Sequence, residues 1–403
     1  MPLDPCRLTP AASLNRVPLS AASPAAAAAG IDREDRAFAY LSPAALAAMV
    51  ERVLPGAAAG PSPSLALEEC LRSPDPRVRR AAERIAGEYG ARVGVLVATL
   101  VGGSPRDRAA RPEWDGEYWA RWAATTTVWL GGGLVAGRLG VRAAARATAI
   151  LEAAGVAGCR VAVAAHADAL PLIGAARAAA AAAAGTAPPT GTAPPTGTAP
   201  PTGTAPRPRG AGFDRAARPA GGAGGSDGAA VVVDLGHTWV KRAVAVHDRG
   251  GVLISLDRLP SVPAPPNPAD TGSVTALAES VADIVAGTWA GAARRGRLAP
   301  VVVASMAAYV HDGQPVPAQP GTYAALRAVS PNLARWMSAA VSGRLGTPVT
   351  VVLVHDGTAA AHAVPPDPRG AVIVLGTALG VGYPHPCPGL APVGDPLRVT
   401  GAR

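Results

Sequence analysis

Asp234, Gly236, Thr238 and Lys241 stand within eight residues of one another, at the end of a short apolar run. Together they are the residue types that hold a phosphate. Glycine lets backbone N–H groups come close, a threonine hydroxyl donates, and a lysine ammonium brings a point charge. An aspartate at the same turn faces the metal that accompanies phosphates. Lys241 is the only lysine in the chain, against 36 arginines. In a background that prefers arginine so strongly, a lone lysine in an anion-holding turn carries weight. The plainer alternative is an exposed lysine on an ordinary hairpin.

Three further stretches carry chemistry. Asp356 ends the apolar run 349–354 and opens a segment with Gly357 and Thr358; it is placed as a general base at a cleft, or as a helix N-cap. Gly376 and Thr377 follow the apolar run 371–375, and Gly131, Gly132 and Gly133 follow the β-branched run 125–130. Glycines at a strand end let backbone pass flat against a planar or phosphate-bearing ligand. Gly131 and Gly133 with Gly137 also read as a variant dinucleotide fingerprint, with Asp168 as ribose partner. Its spacing departs from the usual one, and no further alternating strand–helix units follow before the sequence becomes low in complexity.

The elements that must position these residues follow from periodicity. Residues 229–246 read as strand, turn, strand, with Asp234 ending the first strand. Helices are expected over 32–54, 76–100, 141–154, 170–184, 274–293 and 326–345, and strands over 125–130, 160–165, 252–256, 301–304, 349–354 and 371–375. Residues 102–120 read as a polar connection. Residues 1–30, rich in Pro and Ala, are expected to be disordered, and residues 386–403 read as a Pro-rich tail. Between 185 and 206 the hexad GTAPPT repeats, and Pro/Gly/Arg-rich sequence continues to 228. A chain of that composition reaches roughly 35–40 Å, enough to bridge distant points of one body.

At 403 residues the chain has room for two domains and a linker. Hydrophobic residues make up 49% and aromatics only 4%, so the core must be built from Ala, Val and Leu. A net charge of +9 invites a nucleic-acid reading, but the arginines are scattered, with no basic block or aromatic stripe, so no nucleic-acid partner is expected. Cys6, Cys70, Cys159 and Cys387 are far apart and form no C-x-x-C pair, which argues against a zinc knuckle or disulfide framework and for a reducing cytoplasm. No membrane span and no signal peptide are expected.

The pattern D-x-G-x-T-x-x-K at Asp234, Gly236, Thr238 and Lys241 resembles the first phosphate motif of the superfamily holding sugar kinases, actin and the heat-shock chaperone ATPases, closest to the ROK family of sugar kinases and repressors. Residues 354–361 (VHDGTAAA) resemble that family's N-D-A-N-A-A-A segment, which implies that Asp356 is the base taking the proton from a sugar hydroxyl. Residues 375–380 (LGTALG) resemble L-G-T-G-I-G, implying phosphate contacts at Gly376 and Thr377. Ser330, Pro331, Asn332 and Leu333 with Trp336 resemble a substrate-side segment, implying that Asn332 contacts sugar. Residues 127–133 (TVWLGGG) look like the adenosine-side I-V-L-G-G-G, and residues 167–176 like the family's closing helix.

The family's C-terminal portion therefore stands first here, as in a circular permutation, joined through the linker. The resemblance implies an α/β, two-lobed ribonuclease H-like (actin/sugar kinase) ATPase fold: 31–184 as the adenosine-side lobe, 185–228 as linker, 229–385 as the phosphate and sugar lobe. It implies ATP and Mg²⁺ as cofactors, the metal held by Asp234 through water, a small sugar-like substrate in the cytoplasm, and room for a homo-oligomer. The sequence also departs from the family. The G-E-x-G-H and C-x-C-G-x-x-G-C motifs are absent, so zinc is not expected. His355 replaces an asparagine, and residues 305–308 (SMAA) replace a glycine-rich turn. No helix-turn-helix segment precedes the fold, which disfavours a repressor. The runner-up is a nucleotide-binding regulator, or degenerate kinase, without turnover; a purely structural protein would have no nucleotide affinity.

Overall fold

The computed structural model describes residues 4–21, 23–57, 62–183 and 228–401; the hexad repeats, and the linker apart from Gly228, lie outside the described residues. The protein is mixed α/β. Pro43–Val53 (α1) is capped by the Ser42 hydroxyl on Ala45 N–H, and Pro63–Arg72 (α2) follows. Proline at the start of α1 cannot continue a helix from before it, so the single helix expected over 32–54 is broken, with Ala37–Leu41 a separate turn. Pro76–Gly102 (α3) starts on the Asp75 carboxylate and stops at Gly103, in the left-handed region at φ 48°. By length and composition α3 could cross a membrane, but 67% of its most apolar window is buried inside the protein. Gly116–Ala123 (α4) begins inside the stretch expected to be polar connection and runs past its end, burying Tyr118, Trp119 and Trp122.

Then come strand Thr127–Gly131 (β1), helix Arg138–Ala153 (α5), strand Arg160–Val163 (β2) and helix Leu170–Ala183 (α6). Past the linker the chain forms strands Gly228–Leu235 (β3), Trp239–His247 (β4) and Leu253–Pro263 (β5), helix Val274–Ala293 (α7) and strand Val301–Met306 (β6). Helix Leu333–Leu345 (α8), strand Thr350–His355 (β7), helix Asp356–His362 (α9), and strands Gly370–Leu375 (β8), Leu379–Gly382 (β9) and Val393–Gly401 (β10) complete it.

Two sheets result. The larger has the order β7-β6-β3-β4-β5-β10, and the smaller β9-β8-β1-β2. In each, a hairpin (β3-β4 or β8-β9) contributes its first strand to a parallel run, β3 to β6 and β7, β8 to β1 and β2. Parallel neighbours need a crossover, and α8 and α5 supply it in the two cases. The helices that follow the last parallel strands exchange places. Leu172, Ala176 and Ala179 of α6 pack with Val232, Ala243 and Val303 of the larger sheet, while Ala360 and Ala361 of α9 pack with Val372 of the smaller. α6 and α9 touch so closely that a Cβ on Gly174 would stand 1.7 Å from the Ala359 carbonyl oxygen.

The smaller sheet therefore draws β1 and β2 from before the linker and β8 and β9 from near the chain's end, so residues 229–385 do not form one lobe. Residues 393–401, within the Pro-rich tail, form the edge strand β10 beside β5, where an edge position tolerates Pro396 and its missing N–H. Nor are residues 4–30 disordered where described. Leu8, Leu14, Val17, Leu19 and Ala26 are buried, and donors a hundred residues away satisfy the local carbonyls: Arg111 on Ser13 and Ala11, and Trp114 on Ala11. Local composition holds no trace of such distant partners.

Cutting the chain within 184–227 should leave both pieces together, because β8 lies hydrogen-bonded between β1 and β9. With a protease site inserted there and cleaved, size exclusion should return both fragments in one peak at the intact protein's volume. Fragments that separate would contradict the strand order.

Candidate active site

The two hairpins present equivalent turns: Gly236, His237 and Thr238 between β3 and β4, and Gly376, Thr377 and Ala378 between β8 and β9. They meet face to face, Thr238 Oγ1 lying 3.0 Å from Thr377 Oγ1. Tyr323 braces the first turn, its hydroxyl donating to the Gly236 carbonyl at 3.0 Å. Asn15, from the buried N-terminal segment, braces the second by accepting Leu379 N–H at 2.8 Å.

Behind the first turn, Asp234 and Lys241 are cross-strand partners in register. The Asp234 carboxylate is buried, with Ser305 Oγ donating to its Oδ1 at 2.6 Å and Lys241 Nζ 3.5 Å from its Oδ2. Lys241 Nζ also donates to the Asp168 carbonyl at 3.1 Å. One residue back, the Ala167 carbonyl accepts Gly132 N–H at 2.7 Å, so residues 167 and 168 tie the glycine triplet to the aspartate-bearing hairpin. Ser305, which the sequence shows only as part of the SMAA stretch in place of a glycine-rich turn, is a lone hydroxyl one residue before the end of β6, in register with Asp234.

Asp356 opens α9 at the end of β7. His355 lies beside it, its Nδ1 accepting Thr358 N–H at 3.2 Å, which leaves the proton on Nε2. His355 Nε2 lies 3.1 Å from Asp356 Oδ1, and the Gly357 N–H donates to that oxygen at 2.7 Å. Oδ2 is thus the oxygen left to take a proton. Burial, and then the neighbouring Asp234 charge, push the Asp356 carboxyl up to about 7, against a smaller lowering by Lys241. Burial pulls His355 down to about 3, so it stays neutral. Tyr309 stacks on the His355 ring at 4.4 Å and fixes its plane.

The glycines divide into two kinds. A Cβ on Gly132 would stand 2.1 Å from the Leu375 carbonyl oxygen, and one on Gly131 2.4 Å from Leu170 Cδ1, so packing alone demands both. At Gly133 nothing lies within 4 Å of that position, and at Gly376 nothing within 3.9 Å, so the space there is open. Gly236 is intermediate, with the Trp239 carbonyl oxygen 2.8 Å away. Asn332 stands apart from the rest. Its Oδ1 caps α8 by accepting Arg335 N–H at 2.9 Å, and among the described residues no hydrogen bond joins it to Asp356 or either turn.

Beside Ala167 and Asp168 opens a cleft of about 910 Å³, lined by Glu68, Arg72, Arg138, Arg142 and His166. The dinucleotide alternative fails in this cleft. Where a pyrophosphate would sit at the start of α5, the buried Glu68 carboxylate already accepts Arg138 N–H and Leu139 N–H, each at 3.1 Å. Asp168, the supposed ribose partner, is paired with Arg258 at 2.8 Å. Glu68→Ala strands two helix N–H groups and should cost roughly 2–4 kcal/mol of stability, read as a lowered urea midpoint at unchanged slope.

Comparison with protein-family models, with curated proteins and with solved structures finds no match for this chain.

Proposed function

We propose that the protein transfers the γ-phosphoryl group of ATP to a hydroxyl of a small sugar-like molecule, as a ROK-like, two-lobed ribonuclease H-like ATPase with its halves in permuted order. What carries this reading is the 3.0 Å meeting of Thr238 and Thr377, which brings two glycine-threonine turns from different sheets into contact. The repeated arrangement of hairpin and parallel strands in the two sheets supports it, as does the open space at Gly376 and Gly133.

The donors suit the chemistry. Gly236, Thr238, Gly376 and Thr377 would hold phosphate oxygens through backbone N–H and hydroxyl groups, and Gly133 would border the nucleoside, with the arginine-lined cleft beyond it. Lys241 offsets developing charge as a compact cation. Asp234, an oxygen donor held by Ser305, fits a hard divalent cation reached through water; bound Mg²⁺ would neutralise phosphate charge. Asp356, with Oδ2 unengaged and its affinity for a proton raised to about 7, would take the proton from the acceptor hydroxyl. Such a reaction draws on cytoplasmic ATP and involves neither nucleic acid nor membrane.

One observation favours the second reading, a nucleotide-binding regulator: the oxygen of Asn332 is committed to capping α8, leaving the sugar side without an evident ligand. Titrating ATP with Mg²⁺ and then assaying ADP release over a panel of sugars, with wild type and Asp356→Asn, separates the two. ATP binding with turnover only in wild type supports the kinase; binding without turnover on any sugar supports the regulator. No binding sinks both.

A further inference from the structure

Cys6, His385 and Cys387 meet from opposite ends of the chain. Cys6 Sγ lies 3.0 Å from His385 Nε2 and 4.0 Å from Cys387 Sγ, and the three donor atoms all lie within 4.8 Å of one another. We propose that this triad binds a zinc ion that clasps the N-terminal segment to the segment following β9.

The donor set is what zinc takes. Two thiolates and one neutral imidazole are borderline-soft ligands, and three protein ligands leave a fourth position. A tetrahedron with Zn–S bonds of about 2.3 Å has S–S edges of about 3.8 Å, close to the separation of the two sulfurs. The imidazole is prepared as well. His385 Nδ1 lies 3.1 Å from the Tyr383 carbonyl, so that nitrogen carries the proton and Nε2 presents its lone pair toward Cys6. Side-chain movement of about half an ångström opens the 3.0 Å sulfur–nitrogen contact to the roughly 3.6 Å edge of such a tetrahedron. The Asp4 carboxylate holds the Cys6 backbone N–H at 2.8 Å, fixing the loop that carries the sulfur.

An independent observation points the same way. His362 is 3% exposed, and its Nε2 has no hydrogen-bond partner among the described residues. Its ring centroid lies 6.1 Å from that of His385. A buried imidazole nitrogen without a partner is costly, and an ion at the triad gives it a use, either as fourth ligand after a side-chain shift or through a bound water. All three triad residues are half-buried, which leaves the ion a path in. The spacing of the cysteines along the chain hides the site, because its two halves are 379 residues apart.

The test uses the full chain purified in reductant without chelator. Elemental analysis should find about one zinc per chain. The zinc should be largely lost in Cys6→Ser, in Cys387→Ser and in His385→Ala, and kept in Cys70→Ser, a control outside the triad. Cobalt added to the chelator-stripped wild type should produce a thiolate-to-cobalt charge-transfer band, absent in Cys6→Ser, and zinc re-addition should raise the melting temperature of wild type alone. Far-ultraviolet dichroism checks that each variant is folded, and the stripped wild type serves where one is not. The proposal is overturned by wild type without zinc that also yields no cobalt band. It is equally overturned if Cys6→Ser retains full zinc, or if thiol titration after isolation without reductant finds Cys6 and Cys387 joined as a disulfide that reduction does not convert to a metal site.

Discussion

Asp356→Asn should lower phosphoryl transfer by about 10²–10⁴-fold while leaving ATP affinity within a few-fold of wild type, because the amide keeps the shape and loses only the ability to accept a proton. In wild type, kcat/KM should rise with pH through about 7 as the carboxyl ionises. The same shift fixes a stability effect of known sign. The folded carboxyl binds its proton more tightly than the unfolded one, so wild-type stability falls as pH rises from about 4 and levels off above about 7. A shift of that size corresponds to about 4 kcal/mol at most, and the quarter of the side chain that remains exposed lets water relieve part of it. Asp356→Asn should therefore gain roughly 1–3 kcal/mol above pH 7 and almost nothing near pH 4. Denaturation midpoints at the two pH values check this without any substrate. A variant less stable than wild type at pH 8 would show that Asp356 is held ionised by partners, as a plain helix cap would be.

The sequence made the hairpins legible because their chemistry is local. Asp234, Gly236, Thr238 and Lys241 lie within one strand–turn–strand, and apolar alternation on either side sets the register that pairs Asp234 with Lys241. Asp356 was visible for the same reason, at the junction of an all-apolar strand and a helix. What stayed hidden was held by distant parts of the chain. The order of the smaller sheet depends on β8 choosing β1 across the linker, a choice no local pattern encodes. The N-terminal segment looked unstructured because its prolines and the alanine run at 25–29 offer little to bury, while its carbonyl partners, Arg111 and Trp114, lie far along the chain. Gly131 and Gly132 read as ligand glycines, yet packing against Leu170 and Leu375 is sufficient reason for both. Asn332 was read as a sugar contact from its neighbours in sequence, and its oxygen turned out to be the cap that starts α8.

Lys241→Met should lower transfer by about 10²–10³-fold and move the rising limb of the pH profile to higher pH. Lys241 is the cation that offsets the mutual repulsion of Asp234 and Asp356, so removing it leaves each carboxylate facing the other, and Asp356 then holds its proton past the present value of about 7. The stability cost should be modest. Removing one partner of a fully buried pair costs about 3–5 kcal/mol, but Nζ sits 3.5 Å from Asp234 and 28% of the lysine side chain is exposed, so water takes over much of its role. Roughly 1–2 kcal/mol is expected, read from denaturation at pH 8. Lys241→Arg decides what the lysine is for. A planar guanidinium is wider than an ammonium and must find room beside the Asp168 carbonyl, to which Nζ now donates at 3.1 Å. If position 241 needs only a positive charge, Lys241→Arg restores both rate and pH profile. If it needs a compact cation at a phosphate, the arginine restores the pH profile, because the charge is back beside Asp234, and leaves the rate low. The second outcome fits a chain that uses arginine everywhere else.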